Sequence, residues 1–135
     1  MAELTPDQAR LLKEPNVGVL ATIRRDGTPH ATPIWVDWDG ERVVFNTAVG
    51  RAKERHMRRD PRVCVEVHDR NDPQVYVSIT GPVEFVFDDA DEVIKDLALK
   101  YDGRREFDNR GRTRVTVKVT PERVEEHRPD PSAPS

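Results

Sequence analysis

Residues 17–27 have the sequence VGVLATIRRDG, and this stretch decides the β character of the chain. The part from Val17 to Arg24 is rich in β-branched and apolar residues, which favour extended backbone. The Asp26-Gly27 pair that follows is typical of a tight hairpin turn. We therefore predict a strand over about 17–24 that turns at Asp26-Gly27 into a second strand, which covers about His30 to Trp38.

The antiparallel pattern continues beyond the second strand. Asp39-Gly40 is another hairpin turn, and residues 42–46 form a third strand, so the first half of the chain is predicted to be an antiparallel meander. In residues 62–68 valines alternate with polar residues, which predicts a strand with Val63, Val65 and Val67 on one face. Two further strands are predicted over residues 75–87, with a bend or bulge at Gly81-Pro82, and 113–119.

Three short helices are predicted between these strands. The first begins after Thr5, which can cap it, and runs to about Lys13. The second covers about residues 50–59, which are good helix formers followed by Pro61. The third follows the acidic run Asp88–Glu92, has apolar residues at helical spacing and ends at Gly103.

Six strands with three short helices predict a mainly β (α+β) fold, a small closed or partly open antiparallel barrel. The length of 135 residues fits one domain, which we place at residues 1–127. Residues 128–135 are rich in Pro and Ser and are predicted to be a disordered tail.

Composition excludes several classes of protein. A net charge of −3 argues against general nucleic-acid binding, which needs a basic surface. No stretch has the roughly 20 apolar residues of a membrane span and no secretory leader is visible, so we expect a cytoplasmic protein. The four histidines and the single cysteine, Cys64, lack metal-ligand spacing, so no metal site is predicted. Cys64 alternates with valines, which predicts a buried, inert thiol.

The start of the second helix carries an unusual pair of cations. Arg51 and Lys53 lie in its first turn, against the positive end of the helix dipole. The free backbone N–H groups of Gly50-Arg51-Ala52-Lys53 could hold a phosphate with help from both side chains. The alternative is an exposed basic helix face, because Arg51, Arg55 and Arg58 recur at i, i+4 and i+7.

The strand around Trp35 has two notable features. Trp35 and Trp38 are an odd number of positions apart and should face opposite sides, so one can lie in the core while the other covers a ligand, a partner subunit or an open barrel end. Pro33 removes a ladder donor, which indicates an edge strand or a bulge.

The sequence contains no catalytic side chain that we can name. Serine residues and Cys64 lie outside any nucleophile motif, and there is neither a G-x-G-x-x-G nor a Walker motif. If the protein is an enzyme, a bound cofactor must supply its chemistry. His30 and Tyr101 could donate a proton, with core or surface roles as the alternative for both.

Taken together, these segments resemble the flavin- and deazaflavin-binding split-barrel family related to pyridoxamine 5'-phosphate oxidase. The resemblance covers most of the chain and rests on an ordered set of short motifs. They are residues 18–22 (GVLAT), 26–30 (DGTPH), 33–36 (PIWV), 44–47 (VFNT), 51–53 (RAK), 58–63 (RRDPRV) and 76–81 (YVSITG).

The resemblance implies a homodimer of six-stranded split barrels with two cofactor sites at the subunit interface. The segment Pro33, Ile34 and Trp35 would lie along the tricyclic ring. The strand end and helix start would hold the phosphate; these residues are Asn46, Thr47, Ala48, Gly50, Arg51, Ala52 and Lys53. Tyr76 of the partner chain would complete the pocket.

The short, Arg-rich chain is most similar to the branch that uses coenzyme F420, a 5-deazaflavin with an anionic tail. This similarity implies an F420H2-dependent reductase of a small unsaturated or oxidised organic substrate. Five arginines would bind the tail carboxylates: Arg24, Arg25, Arg55, Arg58 and Arg59. The alternatives are an FMN-dependent or pyridoxamine 5'-phosphate oxidase-like flavoprotein, and a cofactor-binding protein without turnover. A second phosphate would then use the cluster of Arg104, Arg105, Arg110, Arg112 and Arg114.

Overall fold

The computed structural model describes residues 2–130, which form three α-helices and eight β-strands. The helices are α1 (Pro6–Lys13), α2 (Ala52–Arg59) and α3 (Ala90–Asp102). The strands are β1 (Gly18–Ile23), β2 (Pro29–Ile34), β3 (Asp37–Trp38), β4 (Val43–Ala48), β5 (Arg62–Asp69), β6 (Asp72–Val86), β7 (Arg114–Val119) and β8 (Arg123–His127). Residues 131–135 of the predicted disordered tail lie outside the described range.

The strands form one antiparallel sheet in the order β2-β1-β5-β6-β7-β4-β3, with β8 paired to β6. β2 and β3 are consecutive along the chain but lie at opposite ends of this order. Residues 35 and 36 are all that joins them, so the sheet curves round on itself into the split barrel that the sequence predicted. Pro33 lies on β2, whose one partner strand in the described part of the chain is β1, as predicted for an edge strand.

The predicted single strand from His30 to Trp38 is wrong, and so is the uninterrupted meander. The chain leaves β2 at Trp35 and turns the Val36 side chain fully into the core. Gly18 permits this turn, because a Cβ at residue 18 would lie 2.6 Å from Val36 Cγ1. Neither Trp35 nor Val36 is a turn-forming residue, so the local sequence does not indicate the break.

The strand count is eight within residues 2–130, not the predicted six. The break at residues 35–36 separates β3 from β2, and β8 was not predicted. β8 has the sequence RVEEH, with Val124 as its single apolar residue, and among the described residues 2–130 it pairs only with β6. A short charged strand of this kind has no hydrophobic alternation to indicate it.

β6 is the longest strand and belongs to both halves of the barrel. Residues up to Pro82 pair with β5 and those from Val83 onward pair with β7. The change of partner occurs at the predicted bend, Gly81-Pro82. A Cβ at residue 81 would lie 1.8 Å from the Thr120 carbonyl oxygen, so only glycine fits there.

The core fills the barrel and is closed by the helices. Its largest fully buried side chain is Phe45, and the inward row Val63, Val65 and Val67 of β5 is buried as predicted. Leu11 and Leu12 of α1 and Met57 of α2 extend the core, while α3 packs on β4 and β7.

The predicted capping residues act as expected. The Thr5 Oγ1 accepts a hydrogen bond from the Gln8 backbone N–H at 3.2 Å, and the Gln8 side chain accepts one from the Thr5 N–H at 2.9 Å. Gly103 ends α3 with φ of 81°. Cys64, however, is half-buried on the outer face of the sheet, 3.1 Å from Ser78 Oγ, so its predicted burial is wrong.

Candidate functional site

A cavity with an apolar wall has a volume of about 440 Å³ and lies between β2, β4, α3 and the start of α2. Its apolar wall consists of Val17, Pro33, Ile34, Trp35, Ile94, Leu97 and Phe107. Its polar edge consists of Asn46, Arg51, Lys53 and Arg114. We call this space the ring cavity, because a flat apolar wall facing a cationic edge suits a planar ligand that carries an anionic group.

Trp35 forms the flat part of this wall. Its indole stacks on the Tyr101 ring, with centroids 5.5 Å apart and an interplanar angle of 5°. Phe107 meets the indole edge-on, at 6.3 Å and 78°. Trp38, by contrast, packs against the barrel core.

A second cavity, of about 530 Å³, shares Pro33, Arg51 and Lys53 with the ring cavity. Its other lining residues are His30, Thr32, Gly50, Ala52 and Arg112. The side-chain atoms His30 Nδ1 and Thr32 Oγ1 are buried there without a hydrogen-bond partner in the part of the chain that the structure describes. We call this space the anion cavity, since cations and hydrogen-bonding groups dominate its lining.

Four cations gather where the two cavities meet: Arg51, Lys53, Arg112 and Arg114. Burial and the charges of Arg51 and Arg114 lower the pKa of Lys53. Burial, Arg51 and Arg112 also lower the pKa of Arg114, against an opposing effect of Asp91. Within residues 2–130, none of the four forms an ion pair with a carboxylate. The cluster therefore has an excess of positive charge that a bound anion would neutralise.

The start of α2 adds backbone donors to this cluster. Arg51 is the N-cap residue and makes no side-chain capping bond, so the first N–H groups of the helix have no partner from the cap. Gly50, at φ of 93°, makes the turn that leads into it. The acidic residue of the first turn, Glu54, is buried and bonds Arg58 Nε at 2.8 Å, so it leaves the cluster unneutralised.

Arg114 is held in place by two contacts. Its Nε donates to Asn46 Oδ1 at 2.8 Å, and its guanidinium lies over the Phe107 ring at 4.8 Å. The Asn46 amide donates in turn to the Ala90 carbonyl at the start of α3, at 2.9 Å. This chain of contacts fixes the polar edge of the ring cavity relative to α3.

The structure brings together eight of the eleven site residues predicted from the sequence. These are Pro33, Ile34, Trp35, Asn46, Gly50, Arg51, Ala52 and Lys53. Thr47 and Ala48 are buried and line neither cavity. Tyr76 lies on β6 and stacks on His127, away from both cavities of its own chain.

Four of the predicted tail-binding arginines are engaged elsewhere. Arg24, Arg55 and Arg59 donate to the carbonyls of Pro29, Gly50 and Ile23, and Arg58 pairs with Glu54. The arginines assigned to a separate second cluster do not stay together either. Arg105 pairs with Glu92 and Asp96, whereas Arg112 and Arg114 join Arg51 and Lys53.

Phe107 is a lining residue that the sequence reasoning missed. It lies in the loop after α3, and nothing in the local pattern there places a side chain against Trp35.

His30 lies in the anion cavity and meets His56 edge-on, with ring centroids 5.1 Å apart. His56 Nδ1 lies 2.9 Å from the buried Thr22 hydroxyl, and burial and the charges around it lower its pKa.

Tyr101 is not placed to donate a proton to a ligand. Its hydroxyl donates to the Asn16 carbonyl at 2.6 Å, and burial raises its pKa to about 12.

Among residues 2–130 no cluster of three or more metal-ligating side chains is present. No helix in that same range is long and apolar enough to cross a membrane.

Comparison with known proteins identifies the family of this chain. The family described as pyridoxamine 5'-phosphate oxidase matches residues 4–128. A solved structure named F420 reductase is 32% identical, with a TM-score of 0.79 over 90% of this chain and 98% of that chain. A conserved hypothetical protein from Mycobacterium tuberculosis is 24% identical, with a TM-score of 0.74 over 100% of this chain and 94% of that one.

A more distant structure shares the fold alone. General stress protein 26 from Bacillus anthracis is 19% identical, with a TM-score of 0.67 over 91% of this chain and 92% of that chain. The family match covers nearly the whole described barrel, including both cavities and the cation cluster. The chain therefore belongs to the pyridoxamine 5'-phosphate oxidase family and has its split-barrel fold.

Proposed function

We propose that the protein is an oxidoreductase that uses reduced coenzyme F420 to reduce a small unsaturated or oxidised organic substrate. The observation that carries this proposal is the cation cluster, without carboxylate partners among residues 2–130, beside the flat wall of Trp35. A planar ring with a phosphate-bearing chain fits both features, because the wall is apolar and the edge is cationic. The 32% identity to the structure named F420 reductase supports the deazaflavin over other planar ligands.

The residues divide into two groups according to the part of the cofactor that they would bind. Pro33, Ile34 and Trp35 lie along the ring, and the free N–H groups at the start of α2 bind the phosphate with Arg51 and Lys53. Arg112, in the anion cavity, would bind further negative charge on the phosphate-bearing chain of the cofactor. Burial lowers the pKa of Lys53 and Arg114, and repulsion from neighbouring cations lowers it further; a bound anion would relieve that repulsion.

When bound, the reduced deazaflavin supplies a hydride, so the protein needs no nucleophile of its own. The side chains would instead orient the ring, and the indole of Trp35, which lines the ring cavity, would exclude water from that side of it. The substrate would then enter from the open side of the ring cavity.

A homodimer is part of the same proposal. Tyr76 lies on an outer sheet face and lines neither cavity of its own chain, so it can reach a cofactor only across a subunit interface. Thr47 and Ala48 would support the strand end from within the barrel. A cytoplasmic location, with residues 1–127 as one domain, completes the proposal.

The test is a titration of the purified protein with F420 and, separately, with FMN, at physiological salt so that nonspecific attraction is screened. Saturable quenching of F420 fluorescence with weaker FMN binding is the expected result. The opposite preference would replace the proposal by an FMN-dependent enzyme, the second candidate, which the family description favours.

Turnover separates an enzyme from a binding protein. F420H2 is incubated with quinones, enones and other acceptors, and its reoxidation is followed by absorbance. Reoxidation that requires both the protein and an acceptor supports the reductase. Tight binding without reoxidation by any acceptor would leave a cofactor-binding protein without turnover.

A further inference from the structure

We propose that Tyr101 is a positioning residue that fixes the plane of Trp35, and with it the ring wall of the cofactor site. This inference rests on the proposed function for its effect on cofactor binding, but its structural part stands on the contacts around Trp35. Tyr101 lies near the end of α3 and reaches the connection between β2 and β3. That connection carries the side chain that forms the wall.

The Tyr101 hydroxyl anchors the backbone of the connection. It accepts a hydrogen bond from the Val36 N–H at 3.1 Å and donates to the Asn16 carbonyl at 2.6 Å. Asn16 is itself fully buried, and its amide donates to the Leu11 carbonyl at 2.9 Å. The hydroxyl thus ties residue 36 to the segment that follows α1.

Lys100 holds the same residue from the other side. Its ammonium group donates to the Val36 carbonyl at 2.6 Å and to the Leu12 carbonyl at 2.5 Å, and Asp37 lies 3.7 Å away. Both backbone polar groups of Val36 are therefore bonded to adjacent residues of α3. A connection of two residues that is held in this way has little freedom to rotate.

The Tyr101 ring completes the support by stacking on Trp35. The two rings are nearly parallel, 5.5 Å apart, and Phe107 meets the indole edge-on. The indole consequently has one face covered by Tyr101, while Trp35 lines the ring cavity. Stacking fixes the tilt of the indole, and the hydroxyl fixes the backbone from which it projects.

The experiment uses a single-tryptophan background. The chain has two tryptophans, so Trp38→Phe, which changes a residue outside both cavities, leaves Trp35 as the only one. Acrylamide quenching and anisotropy decay of Trp35 are measured without cofactor, alone and combined with Tyr101→Leu or Tyr101→Phe. We expect the Leu variant to show the greatest quenching and the fastest local motion, and the Phe variant an intermediate effect.

Binding is then measured with the same variants. Loss of the stack in Tyr101→Leu should raise the Kd for F420 by about three- to tenfold, while Tyr101→Phe restores most of the affinity. Affinity for inorganic phosphate should not change, because phosphate binds the cation cluster and not the indole wall. A global structural defect would change both affinities together.

The outcomes separate the two proposals. Wild-type protein that binds neither F420 nor FMN would refute the proposed function, while the quenching data would still test Tyr101. Quenching and anisotropy that are the same in wild type and both variants would overturn the role of Tyr101. If Tyr101→Leu does not fold, Tyr101→Phe alone decides, since an unchanged anisotropy decay would show that the hydroxyl does not restrain Trp35.

Discussion

Lys53 combines a functional position with an electrostatic cost. It is half-buried among other cations, and its pKa is lowered mainly by burial and then by Arg51 and Arg114. The charged form of Lys53 is therefore less favourable in the folded protein than in the unfolded chain. Charged side chains whose burial costs folding stability in this way are characteristic of binding sites, where a ligand supplies the missing opposite charge.

We predict that Lys53→Ala weakens cofactor binding by ~1.5–3 kcal/mol, the scale of a charge-assisted hydrogen bond. The same substitution should leave the apo protein as stable as wild type or more stable, since it removes a repelled charge. Isothermal titration with F420 and thermal unfolding without it measure the two effects.

The matched control for this substitution is Lys95→Ala. Lys95 is a partly exposed residue of α3 that forms an ion pair with Glu92 at 3.9 Å, and it lines neither cavity. This variant should bind F420 like wild type. Equal affinity in the Lys53 and Lys95 variants would contradict the phosphate assignment.

Tyr101 predicts an alkaline limit to stability. Its folded pKa, about 12, lies above the ordinary value of 10.0. Between these values the folded state retains a proton that the unfolded chain loses, so the contribution is complete below pH 10 and is lost as the pH rises toward 12. Across this window the free energy of unfolding of wild type, measured with denaturant, should fall more steeply than that of Tyr101→Phe. Parallel curves would refute the assignment.

At the scale of elements, the sequence predicted what local patterns encode. The alternation in β5, the Asp26-Gly27 turn and the Thr5 cap each depend on a few neighbouring residues, and all three are confirmed. The break between β2 and β3 depends on Tyr101 and Lys100, which are far away along the chain, and no local pattern records it. β8 forms because β6 offers it an edge, a property of the partner strand.

The passage of β6 from one half of the barrel to the other depends on Gly81. We expect Gly81→Ala to destabilise the protein by about 1–3 kcal/mol, the cost of overpacking, because the new Cβ meets the Thr120 carbonyl oxygen. Chemical denaturation measures this loss.

Gly27→Ala is the comparison for this substitution. Gly27 has φ of 87°, and within residues 2–130 no atom lies within 4 Å of the place that a Cβ would take, so its replacement tests backbone conformation without a collision. We expect a loss of about 1 kcal/mol there. A Gly81 variant less destabilised than the Gly27 variant would show that Thr120 moves aside readily.

At the scale of the whole molecule, the site is assembled from parts that are distant in sequence. The helix start was predicted from its unusual pair of cations, and the Trp35 segment was assigned to the ring by the resemblance to the family. Arg112 and Arg114 were predicted as part of a different cluster. The pairing of β4 with β7 brings Arg114 beside Asn46, and Arg112 lines the anion cavity with Arg51 and Lys53. Phe107 joins the wall through the loop that follows α3, whose course the sequence does not reveal.

The proposed contribution of Tyr76 across a dimer interface can be tested by mixing subunits. Lys53→Ala and Tyr76→Ala homodimers should each bind F420 weakly, because every site carries one defect. A mixed dimer has one site with both defects and one with neither. Coexpression with two affinity tags isolates the mixed dimer.

When the mixed dimer is titrated with F420, one of its two sites should bind with wild-type affinity. Recovery of no site would show that Lys53 and Tyr76 do not meet across an interface. A monomer by light scattering would exclude the shared site outright, while leaving the ring cavity within each chain intact.

Because β6 pairs with β5 and β8 in one half of the barrel and with β7 in the other, neither half can lose its hydrogen bonds without exposing the other. Amide hydrogens in the middle of β6 should therefore exchange with solvent only through opening of the entire barrel. The free energy of exchange at these amides would equal the free energy of global unfolding. Hydrogen-exchange mass spectrometry would therefore find a single cooperative unit, although the sheet has two parts.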